Sequence, residues 1–247
     1  MGKAIKLLAL DMDGTLLNGK GEISGENARW IRRAADAGIT VVLATGRGFV
    51  SAAPYAEQLG LKTPMVLVNG GEVRASPDRI VSRTPLETRQ VKALRETALR
   101  LGIWYWGYGT EAAYNRDRWP EDEDGVVWLK FGFYSEDEAA LAEAAAAARE
   151  IGPFEMTNSH PNNIELNPPG VSKASGLRRV CEMLGIGMDE TAACGDSLND
   201  IAMLREAGLG VAMGNAQEPV KRVSDAVTLT NDEDGVAHMI RKYILRE

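Results

Sequence analysis

From its first residues the chain alternates short apolar runs with amphipathic stretches of helical period, and that alternation leaves few folds open. The largely apolar run Ile5 to Leu10 reads as a buried strand. Ser24 can cap a helix that puts Ala28, Ile31 and Ala35 on one face, with Gly38 behind it. Ile39 to Ala44 is a second strand, Val50 to Leu59 a helix closed by Gly60, and Pro64 to Val68 a third strand. Asn69-Gly70-Gly71 then marks a turn into a small hairpin ending near Ser82. Strands buried on both faces and joined by helices specify an α/β fold with a Rossmann-like, doubly wound parallel sheet.

The pattern changes at Thr84-Pro85-Leu86-Glu87, which has the form of a capping box and predicts a helix running to Leu101 and stopped by Gly102. Aromatic, alternating segments follow at Ile103 to Tyr108, Glu111 to Asn115 and Val126 to Tyr134, as expected for antiparallel strands with one wet face. A second box, Ser135 to Glu138, predicts an Ala-rich helix through Glu150, and short strands are expected around Phe154 to Asn158 and Asn162 to Leu166. From Val171 the parallel pattern returns: a helix to Leu184, a strand at Thr191 to Cys194, a helix over Leu198 to Ala207, a strand at Leu209 to Met213 and a last helix from near Asp234. One unit is expected over residues 1–83 and 169–247, interrupted by an α+β unit at 84–168. Four of the five Trp, at 104, 106, 119 and 128, fall in the interruption, where they supply packing; Trp104 and Trp106 share a face that could also serve a dimer.

The 28 basic and 35 acidic residues give a formal charge of −7, which argues against nucleic acid or an anionic membrane as the main partner. The apolar runs are too short to span a bilayer, and Cys181 and Cys194 form no disulfide framework, so a cytoplasmic protein, monomer or homodimer, is expected. Cys194 reads as a small buried side chain, and His160 and His238 have no partner at metal-ligand spacing. Any metal is held by oxygen.

Four constellations fall at strand ends or helix starts. The first strand ends in Asp11-Met12-Asp13-Gly14-Thr15; such a pair of acids, taken alone, reads first as a turn with a helix cap and otherwise as a nucleophile beside a proton carrier, and the rest of the chain decides. Thr45-Gly46-Arg47 follows the second strand and opens a helix, a natural anion site. Lys173 lies in the first turn of a predicted helix, where it opposes the helix dipole by about 0.3–1 kcal/mol unless an anion is near. Gly195-Asp196-Ser197-Leu198-Asn199-Asp200 adds two carboxylates and an amide. Asp196 suits a Mg²⁺ ligand, and Asp200, one turn on, could ligate the metal or hold Lys173. The four sets are complementary, carboxylates for a metal and Thr, Arg, Lys and Asn for phosphate.

In this order the motifs resemble the haloacid dehalogenase-like phosphatases, in particular the Cof-type branch with a type 2 (C2B-like) cap. The resemblance spans nearly the whole chain and implies that 84–168 is the cap. It further implies Asp11 as nucleophile, Asp13 as general acid and then base, Thr45 and Lys173 neutralising the transferring phosphoryl group, and Gly46, Arg47 and Asn199 positioning substrate. Mg²⁺ would be bound by Asp11, the Asp13 carbonyl and Asp196, with Asp200 in support. Met12 stands where P-type ATPases carry Lys, and Asp13 argues against haloalkanoate dehalogenation. The expected activity is hydrolysis of a small phosphorylated metabolite, such as a sugar phosphate or a phosphoglycolate-like compound. A sugar phosphomutase and a non-catalytic metabolite sensor are the alternatives. The polar segment Asn158 to Asn163 is a candidate cap contact.

Overall fold

The computed structural model describes residues 4–247; residues 1–3, part of the expected 1–83 segment, lie outside it. The chain runs β1 (Leu7–Leu10), α1 (Gly25–Asp36), β2 (Thr40–Ala44), α2 (Phe49–Gln58), β3 (Met65–Leu67), β4 (Glu72–Ser76) and β5 (Arg79–Arg83). It continues through α3 (Thr88–Leu101), β6 (Trp104–Gly109), β7 (Ala113–Asn115), β8 (Trp128–Tyr134), α4 (Glu138–Ile151), β9 (Glu155–Thr157) and β10 (Asn163–Asn167). The last stretch holds α5 (Lys173–Leu184), β11 (Thr191–Gly195), α6 (Ile201–Glu206), β12 (Leu209–Ala212), α7 (Glu218–Val223), β13 (Ala226–Val227) and α8 (Gly235–Met239).

Two sheets result. One has eight strands in the order β13-β12-β11-β1-β2-β3-β4-β5, parallel from β13 to β3 and closed at one edge by the antiparallel β4–β5 hairpin. The other is an antiparallel sheet of five, β7-β6-β8-β10-β9, packed on α3 and α4. Buried apolar side chains form one cluster about each sheet. The α/β fold with a parallel-sheet core expected from the alternation is present. Among the described residues no helix is long and apolar enough to cross a membrane.

Several expected boundaries shift, each for a physical reason. Neither capping box caps its helix. The Leu86 amide donates to the Trp128 carbonyl at 2.7 Å, so residues 84–87 are a strand-like link and α3 starts at Thr88. At α4 the cap is Asp137, whose carboxylate accepts from the Ala139 amide at 2.9 Å, while Ser135 caps only the Asp137 amide. The helix expected from Leu198 opens as a 3₁₀ turn over Leu198–Asp200 before α6. The short α7 and β13 carry too few residues for a periodic signal.

The face of the second sheet expected to be wet is covered. Cross-strand pairing sets Trp106 opposite Gly132, Gly132 opposite Glu165, and Tyr108 opposite Lys130, so Trp106, Tyr108, Lys130 and Glu165 share one face. A Cβ at Gly132 would lie 2.3 Å from Trp106 Cζ2, so glycine leaves the room that the indole fills. This face looks onto the loops at the carboxyl ends of β1, β2 and β11. Tyr105, Phe131 and Phe133 point the other way, into the cluster under α3 and α4. Trp128, fully buried, stacks on Trp119 at 4.9 Å, whereas Trp106 lines a cavity.

Candidate active site

Parallel pairing of β1 with β2 and β11 brings three strand ends together, and the Asp11 amide donates to the Cys194 carbonyl at 3.1 Å. Gly14 adopts φ +79°, and a Cβ there would lie 2.6 Å from Asp196 Oδ2; no other residue lets the loop after β1 approach so closely. Thr15 Oγ1 donates to Asp196 Oδ1 at 3.0 Å, and Ser197 Oγ to Oδ2 at 2.9 Å.

Carboxylate oxygens of Asp11, Asp196 and Asp200 lie within 4.8 Å of one another. Lys173, completely buried at the first position of α5, donates to Asp11 Oδ1 at 2.5 Å and to Asp200 Oδ1 at 2.8 Å. The anion that its helix position calls for is therefore supplied by the protein. Burial would lower the Lys173 ammonium, but Asp11 and Asp200 hold it above its ordinary value. Burial raises the Asp11 carboxyl well above its ordinary value despite Lys173, and the neighbouring Asp200 and Asp196 add to the rise. Asp196 is pushed up to about 6 by burial and by Asp200. Three carboxylates against one ammonium leave a formal charge of −2, which one divalent cation would neutralise. Asp200 is already engaged, with Oδ2 accepting from the amides of Asp196 and Ser197 at 3.0 and 3.1 Å. It holds Lys173 and the loop, which leaves Asp11 and Asp196 as the more open oxygen donors.

Asp13 stands apart from that cluster, its side chain half-exposed and bound in a fork by Arg47, Nε to Oδ2 at 2.7 Å and Nη2 to Oδ1 at 2.5 Å. Arg47, expected to position substrate, lines the cavity and bonds Asp13, which raises the guanidinium further above its ordinary value. Thr45 is buried, its Oγ1 accepting from the Arg47 amide at 3.1 Å. Asn199 is buried with Nδ2 donating to Asn69 Oδ1 at 3.2 Å and its amide to the Asn158 carbonyl at 3.2 Å. The Asn158 to Asn163 segment thus sits against the 196–199 loop, and Ser159 and Asn163 line the cavity. Cys194 is wholly buried and its thiol is pushed well above the ordinary range, chiefly by burial, so it is inert.

Asp11, Asp13, Gly46, Arg47 and Asn199 share a cavity of about 210 Å³. Trp106, Tyr108, Lys130 and Glu165 wall it from the second sheet; in the sequence none of them has a role in the site, and Trp106 reads as packing or a dimer face. The available signal was their alternate spacing on β6, β8 and β10, which identifies a shared face but not what covers it.

A family model described as haloacid dehalogenase-like hydrolase matches residues 8–127 and 115–240. The chain belongs to the haloacid dehalogenase-like hydrolases. It is 44% identical over 241 residues to 5-amino-6-(5-phospho-D-ribitylamino)uracil phosphatase YcsE of Bacillus subtilis (strain 168), covering 98% of this chain and 96% of that protein. Phosphatase YwpJ of the same organism is 32% identical over 285 residues, 96% of this chain and 99% of the relative. Among solved structures, a haloacid dehalogenase-like hydrolase from B. subtilis superposes with a TM-score of 0.89 at 30% identity, covering 97% of this chain and 100% of that one. The haloacid dehalogenase subclass IIB sugar phosphatase BT4131 shares the fold, with a TM-score of 0.85 at 22% identity, over 96% of this chain and 98% of its own. The haloacid dehalogenase-like chain is thus a phosphoric monoester hydrolase, of the Cof-type branch.

Proposed function

We propose that the enzyme is a Mg²⁺-dependent phosphatase that hydrolyses the monoester of a small polyhydroxylated metabolite through an aspartyl-phosphate on Asp11, with residues 84–168 acting as the cap. The observation that carries this reading is the buried Asp11–Lys173–Asp200 arrangement, with Asp196 alongside and Asp13 just outside it. Mg²⁺ held by Asp11, Asp196 and the Asp13 carbonyl would offset the clustered charge and polarise the phosphoryl oxygens.

An Asp11 carboxylate oxygen attacks phosphorus as the bond to the leaving oxygen breaks, and Asp13 gives that oxygen a proton. Asp13, now a carboxylate, takes a proton from water as the water attacks phosphorus, releasing inorganic phosphate and restoring Asp11. Lys173, the Thr45 hydroxyl and the Gly46 amide face the charge that spreads over the phosphoryl oxygens. Arg47 forks Asp13 beside the cavity, and a phosphate ester bound there would compete with Asp13 for the same guanidinium.

The indole of Trp106 and the ring of Tyr108, beside Ser159 and Asn163, favour a leaving group that joins hydroxyls to a flat apolar face. The substrate in the name of YcsE, a uracil bearing a phosphoribityl chain, has that chemistry and is the first candidate, ahead of simple sugar phosphates and phosphoglycolate. Phosphate release from a panel of these monoesters, with and without Mg²⁺, tests the proposal. Preference for the ribitylaminouracil phosphate and dependence on Mg²⁺ are expected. An isomeric product would indicate a mutase, and binding without turnover across the panel a sensor; either result overturns the reading.

A further inference from the structure

Lys130 and Glu165 form a second buried ion pair, Nζ to Oε1 at 2.8 Å, with side chains only 2% and 4% exposed. They lie on β8 and β10 of the five-stranded sheet, yet their remaining bonds reach across to loops of the other sheet. Lys130 Nζ also donates to the Gly46 carbonyl at 2.8 Å, the centre of the Thr45-Gly46-Arg47 turn. Glu165 Oε2 accepts from Asn69 Nδ2 at 2.7 Å. A carboxylate only accepts, so the Asn69 amide orientation is fixed, and its Oδ1 is left to accept from Asn199 Nδ2. Burial would raise Glu165, but Lys130, aided by the Asn69 bond, brings it below its ordinary value.

The backbone under this network is held in an unusual shape. Val68 and Asn69 have φ of +51° and +57°, a region that a β-branched residue rarely enters. Their amides donate to the Arg47 and Thr45 carbonyls, both at 3.0 Å, and Asn167 Nδ2 on β10 donates to the Val68 carbonyl at 3.1 Å. A Cβ at Gly46 would lie 3.0 Å from Asn69 Oδ1 and 3.2 Å from Lys130 Nζ, so the turn is clasped from both sides. With its carbonyl fixed by Lys130, the Gly46–Arg47 peptide directs its amide at Thr45 Oγ1, 3.1 Å away. The Gly46 amide has no acceptor among the described residues and stays available to a ligand.

We propose that Lys130, held by Glu165 and Asn69, is a positioning residue for the Thr45-Gly46-Arg47 loop, so that this loop takes its phosphoryl-binding shape only when the five-stranded sheet is seated on it. The inference rests on the reading of that loop as the phosphoryl site. An ion pair that merely joined the two sheets would have no need of a main-chain carbonyl in that loop, nor of a link through Asn69 to Asn199. Lys130 touches neither the attacking oxygen nor the carboxylate cluster; it acts through the loop it holds.

The test compares the full-length wild type with Lys130→Met, Glu165→Gln and the double variant Lys130→Met/Glu165→Gln. The measurements are kcat and KM for p-nitrophenyl phosphate, the inhibition constant of inorganic phosphate, and the melting temperature. Lys130→Met and the double variant should each lower kcat and weaken inhibition by phosphate about ten- to a hundredfold, as loss of a supporting hydrogen bond does elsewhere. Glu165→Gln, which keeps the donor on Gly46, should lose less. The double variant leaves no unpaired buried charge, so it remains informative if Lys130→Met alone does not fold. Wild-type values of kcat and phosphate inhibition in the double variant, whatever its melting temperature, would overturn the proposal, as would an equal loss in Glu165→Gln. A wild type that binds phosphate but hydrolyses no monoester would contradict the phosphatase reading alone, and phosphate binding would still report on Lys130.

Discussion

Asp196 is, with Asp11, one of two acids of the cluster held above their ordinary value. Burial first, and then the charge on Asp200, push its carboxyl up to about 6, against about 3.9 for an unfolded aspartate. Between those values the folded chain holds a proton that the unfolded chain has released. The stabilisation this gives the metal-free protein is therefore lost as the pH rises through about 6. A divalent cation acts in the opposite sense, because it binds the ionised form. Mg²⁺ should raise the melting temperature more at about pH 7.5 than at about pH 5; equal shifts at both would place the cation elsewhere. The acids of this cluster were legible in the sequence because Asp11 and Asp196 stand directly after apolar strands and Asp200 follows Asp196 by one helical turn. Two details were not. That Arg47 grips Asp13 depends on a side-chain reach no spacing encodes, and the alternation of the strands that carry Lys130 and Glu165 marks a face without marking its partner.

Gly70 joins backbone shape to chemistry at the level of the elements. It has φ +95°, and a Cβ there would lie 2.2 Å from the carbonyl oxygen of Ser172, the cap of α5 and the neighbour of Lys173. Gly70→Ala should cost about 1–3 kcal/mol in denaturant unfolding and lower kcat by displacing the start of α5; unchanged stability and activity would contradict that packing. The periodic elements of the parallel sheet were readable because strands buried on both faces and helices with one apolar face write different repeats. The starts of α3 and α4 were not, because the local box at Thr84 lost to a tertiary bond, Leu86 to Trp128, and the one at Ser135 lost to a better cap at Asp137.

In the whole molecule, one face of the five-stranded sheet forms the roof of the site. Alternation in β6, β8 and β10 marked that face in the sequence, but what lay opposite it depended on how the two sheets pack, which no local pattern records. Trp106 on that roof should select the leaving group. Trp106→Ala is expected to raise KM about tenfold for a monoester whose leaving group carries a ring, by loss of stacking and burial, and to change it little for a short aliphatic one. A uniform rise for both classes would assign Trp106 to packing alone.

The most direct test of the site is acid quenching of the wild-type enzyme within its first turnovers on a monoester with Mg²⁺, followed by mass analysis of its peptides. A phosphoryl group labile to hydroxylamine is expected on the peptide containing Asp11, with no such adduct and a loss of kcat of at least about a thousandfold in Asp11→Asn. A phosphoryl group on another residue, or full turnover by Asp11→Asn, would contradict the assignment of Asp11 as the nucleophile.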